Sequence, residues 1–344
     1  MNIFNFIKGF FIEEIAIDLG TANTLLLCKD KIIDSPSIIA LDMTTKKVWA
    51  VGKEAKEMQG KTPEHIKVFR PLKDGVIADS QVAEIMIRSF MKQIPDLNRR
   101  FFTPALRVVI CIPSGITEVE KRAVKDLAQR LNAKEVYVIY EPIAAALGCD
   151  QNVTGSNGIF IVDIGGGTTE CGVIALGGIV AQKSIKIAGD VFTNDITYFM
   201  RTRHNLYVGE RTAERIKIEE GAALEELDNP PEDICIQGRD LITGKPREMT
   251  ITYKEAFYAL DKSLLRIEDA IMQTLSQTPP ELSSDIYKKG IYLAGGGANI
   301  RGLDKRISQK TGLSVTVPEN PLRAVLRGTA KALKNIDKFS FLMK

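Results

Sequence analysis

Residues 161–174 read IVDIGGGTTECGVI. An apolar run, Ile159 to Val162, leads into Asp163; three glycines and two threonines follow, and a second apolar run takes Cys171 to Ala175. Three consecutive glycines strip the turn of side chains, so backbone N–H groups can close on an anion and positive φ is allowed. A phosphate is cradled in this way. Asp163, at the end of the first strand, is placed to hold a hydrated Mg2+ beside that phosphate, because Mg2+ keeps most of its waters and takes few carboxylates. Read alone, the stretch fits an ordinary glycine-rich hairpin equally well.

A second copy separates the two readings. Residues 15–27, IAIDLGTANTLLL, repeat the plan: apolar strand, Asp18, a hydrophobic residue, Gly20, Thr21, a small residue, and another apolar strand. Two strand-Asp-x-Gly-turn-strand units imply two similar domains, each offering a hairpin and a carboxylate to one ligand. A nucleoside triphosphate with Mg2+ fits that arrangement. A third strand-to-glycine turn, GIYLAGGGANIRGL at 290–303, puts Gly295, Gly296 and Gly297 before a helix. Without an Asp it suits a nucleoside or α-phosphate.

Composition bounds the class. At 344 residues the chain exceeds one comfortable core, so two domains are expected. Hydrophobic residues at 44% and charged residues at 26% describe a globular protein, and a formal charge of +3 gives no bulk attraction to nucleic acid. Five scattered cysteines and two histidines, with no C-x-x-C, argue against a disulfide framework or a zinc site, and for a reducing cytoplasm. No apolar run reaches the roughly 18 residues of a membrane span.

Along the chain, MNIFNFIKGFFIEE puts Ile3, Phe4, Ile7, Phe10 and Phe11 on one helical face, with Asn2, Asn5, Lys8 and Gly9 opposite. Against a signal peptide stand Asn5 and Lys8 within the apolar region and no small-residue cleavage site. An interfacial anchor is favoured over a segment packed on the core. Residues 38–70 read as a hairpin turning at Thr44 to Lys46 and then a helix; the single Trp, Trp49, is expected to pack. RPLKDGVIAD (70–79) reads as a loop before a helix over 80–93. NRRFFT (98–103) sets Phe101 and Phe102 beside two Arg, which suits insertion at a lipid boundary as well as a loop folding its rings inward.

RVVICIPSGIT (107–117) is a buried strand before a helix from Glu118 to Leu131. VYVIYEPIAAALG (136–148) is a strand entering an Ala-rich helix whose Ala144, Ala145 and Ala146 permit a close helix contact. Glu141, at that junction, could orient a water for attack on a γ-phosphate, or simply answer the helix dipole. GERTAERIKIEEG (209–221) is a charged helix whose like-charge i,i+4 spacing hints at partners elsewhere. Strands at 234–237 and 248–252 flank a turn, and a helix is expected over 254–277. The tail KALKNIDKFSFLMK is cationic and aromatic, fit to reinforce attachment to anionic lipid or to fray.

Three glycine turns so arranged resemble the actin-type ATPase superfamily shared with sugar kinases and heat-shock chaperones. Within it the chain is similar to the MreB family, the bacterial cell-shape actins. IDLGTANT (17–24), RPLKDGVIAD, VVICIPSGITEVE (108–120), EPIAAALG, VDIGGGTTE, ALGGIV (175–180), GERTAERIK, GRDLITG (238–244), QTPPEL (277–282) and GGGANIRGLD carry the likeness in order across nearly the whole chain.

The resemblance implies an α/β fold of the actin-like ATPase type, two ribonuclease H-like domains each with an inserted subdomain around a nucleotide cleft. Subdomain IA would take 1–37, 71–151 and 321–344, IB 38–70, IIA 152–185 and 251–320, and IIB 186–250. By motif, Thr21, Ala22 and Asn23 would line the first phosphate loop and Gly165, Gly166 and Gly167 the second. Glu214, Arg215, Ile216 and Lys217 with Gly295, Gly296, Gly297 and Ala298 would form the nucleoside pocket. Asp18 and Asp163 would serve Mg2+; Glu141 and Thr168 would position the attacking water. The family binds membrane through an N-terminal amphipathic helix and a hydrophobic loop, which here are Ile3, Phe4, Ile7, Phe10, Phe11, Phe101 and Phe102.

The implied function is an ATPase that polymerises with ATP into paired filaments of itself. It would lie under the inner face of the cytoplasmic membrane and work with other cell-shape proteins or filament paralogues. A small-molecule kinase or chaperone-type ATPase is the rival; it would need an acceptor base or a substrate domain, and neither is evident in the sequence. Two departures stand out. Tyr140 occupies the first of two positions that are commonly carboxylates, which leaves Glu141 for hydrolysis. VFTND (191–195) replaces an acidic pattern after Gly189-Asp190.

Overall fold

The computed structural model describes residues 12–98 and 105–344. The chain divides into two compact units. One holds the described residues up to Ser156, with Ile174–Ile179 and Arg323–Lys344; the other holds Asn157–Val173 and Val180–Leu322.

The first unit opens with β1 (Ile12–Leu19), β2 (Asn23–Cys28) and β3 (Lys31–Pro36). A smaller sheet follows from β4 (Ile39–Asp42), β5 (Val48–Val51) and β6 (Ile66–Phe69), with α1 (Lys53–Met58) between the last two. Next come β7 (Leu72–Lys73), β8 (Val76–Ile77), α2 (Ser80–Met91), α3 (Pro95–Asn98), β9 (Ala105–Ile112), α4 (Glu118–Arg130), β10 (Ala133–Tyr140) and α5 (Glu141–Gly148). The main sheet runs β10-β9-β1-β2-β3. It is parallel from β10 to β1 and antiparallel through β2 and β3. Its core packs Ile15, Ile17, Val108 and Ile110 against Met86, Ile87 and Phe90 of α2, whose start is capped by Asp79 accepting from two backbone N–H groups.

The second unit begins with β11 (Ile159–Ile164), β12 (Thr169–Ala175) and β13 (Gly178–Ile185), then α6 (Gly189–His204), β14 (Leu206–Tyr207) and α7 (Glu210–Glu220). It continues with β15 (Ile234–Asp240), β16 (Pro246–Ile251), α8 (Tyr253–Ser276), α9 (Pro280–Lys289), β17 (Ile291–Ala294), a 3-10 turn (Gly296–Asn299), α10 (Leu303–Thr311) and β18 (Val315–Thr316). The main sheet runs β13-β12-β11-β17-β18, and Phe160, Val162, Phe192, Leu264 and Ile267 lie in its core. Both main sheets thus place a three-strand run beside two parallel strands in the same order. The internal repeat of two strand-Asp-Gly hairpins is this shared topology.

The chain then returns to the first unit with α11 (Ala324–Lys334), which crosses α5 at backbone contact. A Cβ added at Gly148 would fall 1.8 Å from the Ala324 carbonyl oxygen, and one at Gly328 would fall 1.7 Å from that of Ala144. The Ala-rich face of α5 permits this approach, and Gly328 supplies the other side.

Some local expectations are corrected. Residues 70–79 form a two-residue hairpin, β7 to β8, rather than a loop: Asp74 and Gly75 both take positive φ, 51° and 78°, the pairing that suits a tight turn of this hand. Ile12 to Glu14 are strand, not the end of a helix, because they pair in parallel with Ala105 to Arg107 and Arg107 binds Glu14 at 2.9 Å. Trp49 does not pack; at 57% exposure it stands on β5, an edge strand. The tail is tied down, since Met343 and Val138 exchange backbone hydrogen bonds of 2.9 and 3.1 Å along the edge of β10. The N-terminal positions 3–11 and Phe101 and Phe102 lie outside the described residues. Among the described residues, no helix is long and apolar enough to cross a membrane.

Candidate functional site

In the first unit the β1–β2 turn is Gly20-Thr21-Ala22, closing a ladder in which Leu19 faces Thr24. A Cβ at Gly20 would lie 2.6 Å from the Asn23 carbonyl oxygen, so the turn needs glycine there. Side chains buttress it. The Ser37 hydroxyl donates to the Gly20 carbonyl at 2.6 Å and pairs with the Thr24 hydroxyl at 2.8 Å, while the Ser37 N–H donates to the Ala22 carbonyl at 2.9 Å. Thr21 is buried, and its hydroxyl accepts the Gly75 N–H at 2.9 Å, which joins the turn to the β7–β8 hairpin.

Three parallel strands of this unit end together. Asp18 on β1 is in register with Cys111 on β9; Ile112 is in register with Tyr140 on β10, and Glu141 follows as the first residue of α5. Carboxyl ends of parallel strands form the crevice in which α/β proteins gather functional side chains. The Cys111 thiol donates to Asp18 Oδ1 at 3.2 Å. Burial pushes the Asp18 carboxyl up to about 6, opposed by the thiol hydrogen bond and reinforced by the charge of Asp34. Burial and the nearby Asp18 and Glu141 carboxylates push the Cys111 thiol well up, so it stays a protonated donor. Asp34 is held by Arg323 at 3.1 Å.

In the second unit the β11–β12 turn is Gly165-Gly166-Gly167-Thr168, with Gly165 N–H donating to the Thr168 carbonyl at 2.9 Å. Here backbone does the buttressing. The Gly189 and Asp190 N–H groups, at the start of α6, donate to the Gly165 and Gly166 carbonyls at 3.1 and 2.7 Å. The Lys217 ammonium on α7 reaches the Gly189 carbonyl at 2.9 Å, Thr193 Oγ1 at 3.1 Å and Glu214 Oε2 at 2.6 Å; Thr193 Oγ1 also donates to Glu214 at 2.7 Å. The turn at 295–298 crosses the end of β11. Asp163 is in register with Ala294, and a Cβ at Gly295, whose φ is +81°, would fall 2.3 Å from the Ile164 carbonyl oxygen and 2.5 Å from Asp163 Oδ1.

Asp163, Gly165 to Thr168, Glu214, Lys217 and Gly295 to Ala298 therefore belong to one unit, and Asp18, Thr21 to Asn23 and Glu141 to the other. Two members of the consecutive set 214–217 face elsewhere. Arg215 donates to the Cys235 carbonyl at 2.7 Å on β15, and Ile216 is fully buried, because a helix turns neighbouring residues about 100° apart. Ser37, Cys111 and Thr193 were missed from sequence. Cys111 was within reach by register, one strand from Asp18; Thr193 lies in the departing VFTND stretch; nothing local marks Ser37.

The sequence model described as MreB/Mbl protein matches residues 12–341. The cell shape-determining protein MreB of Escherichia coli (strain K12) is 44% identical over 336 residues, covering 96% of each chain. The cell shape-determining protein Mbl of Bacillus subtilis (strain 168) is 43% identical over 330 residues, covering 95% of this chain and 98% of its own. The crystal structure of MreB 5 of Spiroplasma citri bound to AMPPNP superposes with a TM-score of 0.89 at 35% identity, covering 95% of this chain and 97% of that one.

Proposed function

The chain belongs to the MreB/Mbl family, and on that premise we propose that it binds and hydrolyses ATP and polymerises into filaments that act in cell shape. The observation that carries the reading is the second unit itself. A three-glycine turn follows Asp163 and is braced by a helix N-terminus that the Lys217–Glu214 pair holds at the Gly189 carbonyl, and a second glycine turn crosses the same strand end against Asp163. The binding of AMPPNP by the Spiroplasma citri relative supports a nucleotide as the ligand.

In this reading the turns at Thr21, Ala22 and Asn23 and at Gly165 to Gly167 line the phosphates; the Gly165 N–H is taken by the Thr168 carbonyl, so Gly166 and Gly167 supply the backbone N–H groups of the second turn. Glu214 and Lys217, fixed to each other and to Thr193, hold the nucleoside side together with Gly295 to Ala298. One carboxylate from the end of each hairpin strand, Asp18 and Asp163, suits Mg2+, which takes few carboxylates and keeps its waters. When bound, the ion neutralises charge on the phosphates. Glu141, the first residue of α5, and Thr168, beside the glycine turn, orient the attacking water. Hydrolysis alters filament stability; the apolar N-terminal residues Ile3, Phe4, Ile7, Phe10 and Phe11 with Phe101 and Phe102 attach the filament to the inner face of the cell membrane. The subdomain boundaries expected from the family remain part of this proposal.

Phosphate release tests the catalytic part. Wild type with Mg-ATP should release phosphate slowly, and Glu141→Gln should lower the rate by about 100-fold while ATP binding persists. Equal rates in the two proteins contradict the assignment.

A further inference from the structure

Glu220, the last residue of α7, is fully buried, and neither of its carboxyl oxygens accepts a hydrogen bond from the described residues. A buried ionised carboxylate without donors is strongly disfavoured. Its position makes this consequential. Directly after it, the chain is stitched to the segment that follows the 295–298 turn. The Arg301 N–H donates to the Gly221 carbonyl at 3.2 Å, the Ala223 N–H donates to the Arg301 carbonyl at 2.8 Å, and the Arg301 guanidinium donates to the Glu219 carbonyl at 2.7 Å. This seam joins the two elements, α7 and the glycine turn, that carry the nucleoside side of the site.

We propose that Glu220 is a proton-operated latch on this seam: the neutral carboxyl fits the closed seam, and ionisation demands water and loosens it. The inference rests on the nucleotide reading above and adds its regulation. The charged groups facing the carboxyl are Arg301, which favours ionisation, and Asp233 and Glu219, which oppose it. Arg306 of α10 binds the adjacent Ala223 carbonyl at 3.1 Å but is committed to Glu268 and to Asp261. Lys217, one turn back, is committed to Glu214. Burial outweighs Arg301 and pushes the Glu220 carboxyl up to about 7.

The sign follows. A carboxyl raised in the folded state binds a proton that the unfolded chain has released, so folded stability falls as pH rises from the ordinary glutamate range through about 7. A nucleotide that holds α7 and the glycine turn together favours the protonated form. By linkage its binding takes up a proton near and above neutrality, and its affinity falls as pH rises.

The test is calorimetric titration of the full chain with Mg-ATP at pH 6 and pH 8, in buffers of different ionisation enthalpy. Wild type is compared with Glu220→Gln and with Glu220→Leu, which fills the site with an apolar side chain should the amide prove poorly tolerated. Wild type should take up a proton on binding at pH 8 and the variants should take up less. Relative to wild type, the affinity of the variants should be about equal at pH 6 and about fivefold or more higher at pH 8. Melting of the ligand-free proteins should show the Leu variant gaining on wild type over the same range. If wild type binds ATP and all three proteins show the same proton uptake and pH dependence, the latch is refuted and the nucleotide reading stands. If wild type binds no ATP at either pH, both fall.

Discussion

The two glycine hairpins share a plan and differ in what holds them. The first, with one glycine, is braced mainly by hydroxyls, Ser37 on Gly20 and Thr24 and Thr21 under the Gly75 N–H, with one backbone bond from the Ser37 N–H to the Ala22 carbonyl beside them. The second, with three glycines, is braced by the first N–H groups of α6. A hydroxyl brace is lost by one substitution, whereas a backbone brace is broken only by moving the helix. The first hairpin is therefore the one that point changes in distant loops can retune, and the second is sensitive mainly where added atoms meet backbone.

The largest break is expected at Gly295→Ala, which strains a positive φ and drives a methyl into the Ile164 carbonyl. It should destabilise the chain by about 3 kcal/mol in urea unfolding and abolish ATP binding. Ser37→Ala comes next. It removes the Ser37 hydroxyl from the Gly20 carbonyl and the Thr24 hydroxyl, for about 2 kcal/mol of stability and a tenfold or so loss of ATP affinity. Thr193→Val should cost about 1 kcal/mol, since Lys217 and Glu214 keep each other, with a loss of ATP affinity of a few fold by the same titration. Smallest and sharpest is the Thr21 pair: Thr21→Val should cost about 1 kcal/mol by orphaning the Gly75 N–H, and Thr21→Ser should be nearly neutral. If Val and Ser behave alike, the hydroxyl brace is not what distinguishes the first hairpin.

The repeat was legible because glycine and aspartate at strand ends are local signals, and each hairpin is made of neighbours in sequence. The close contact of α5 is legible as Ala144 to Ala146, but its other half, Gly328, lies far along the chain and carries no local mark. Braces obey the same rule. Ser37 and Thr193 act on residues reached only after the chain folds back, and Cys111 meets Asp18 only through strand register. Pro71 and Gly75 together mark residues 70–79 as loop, although the same Asp74-Gly75 pair closes the two-stranded hairpin. A lone Trp usually packs, whereas β5 is an edge strand that leaves Trp49 on the surface.

The proposed function makes assembly depend on nucleotide. Sedimentation of the full chain with Mg-ATP, beside the same chain without nucleotide, tests it most directly. Most of the protein should pellet with Mg-ATP, and the nucleotide-free protein should stay in the supernatant. Equal pelleting in both tubes, or none in either while ATP is demonstrably bound, would contradict it.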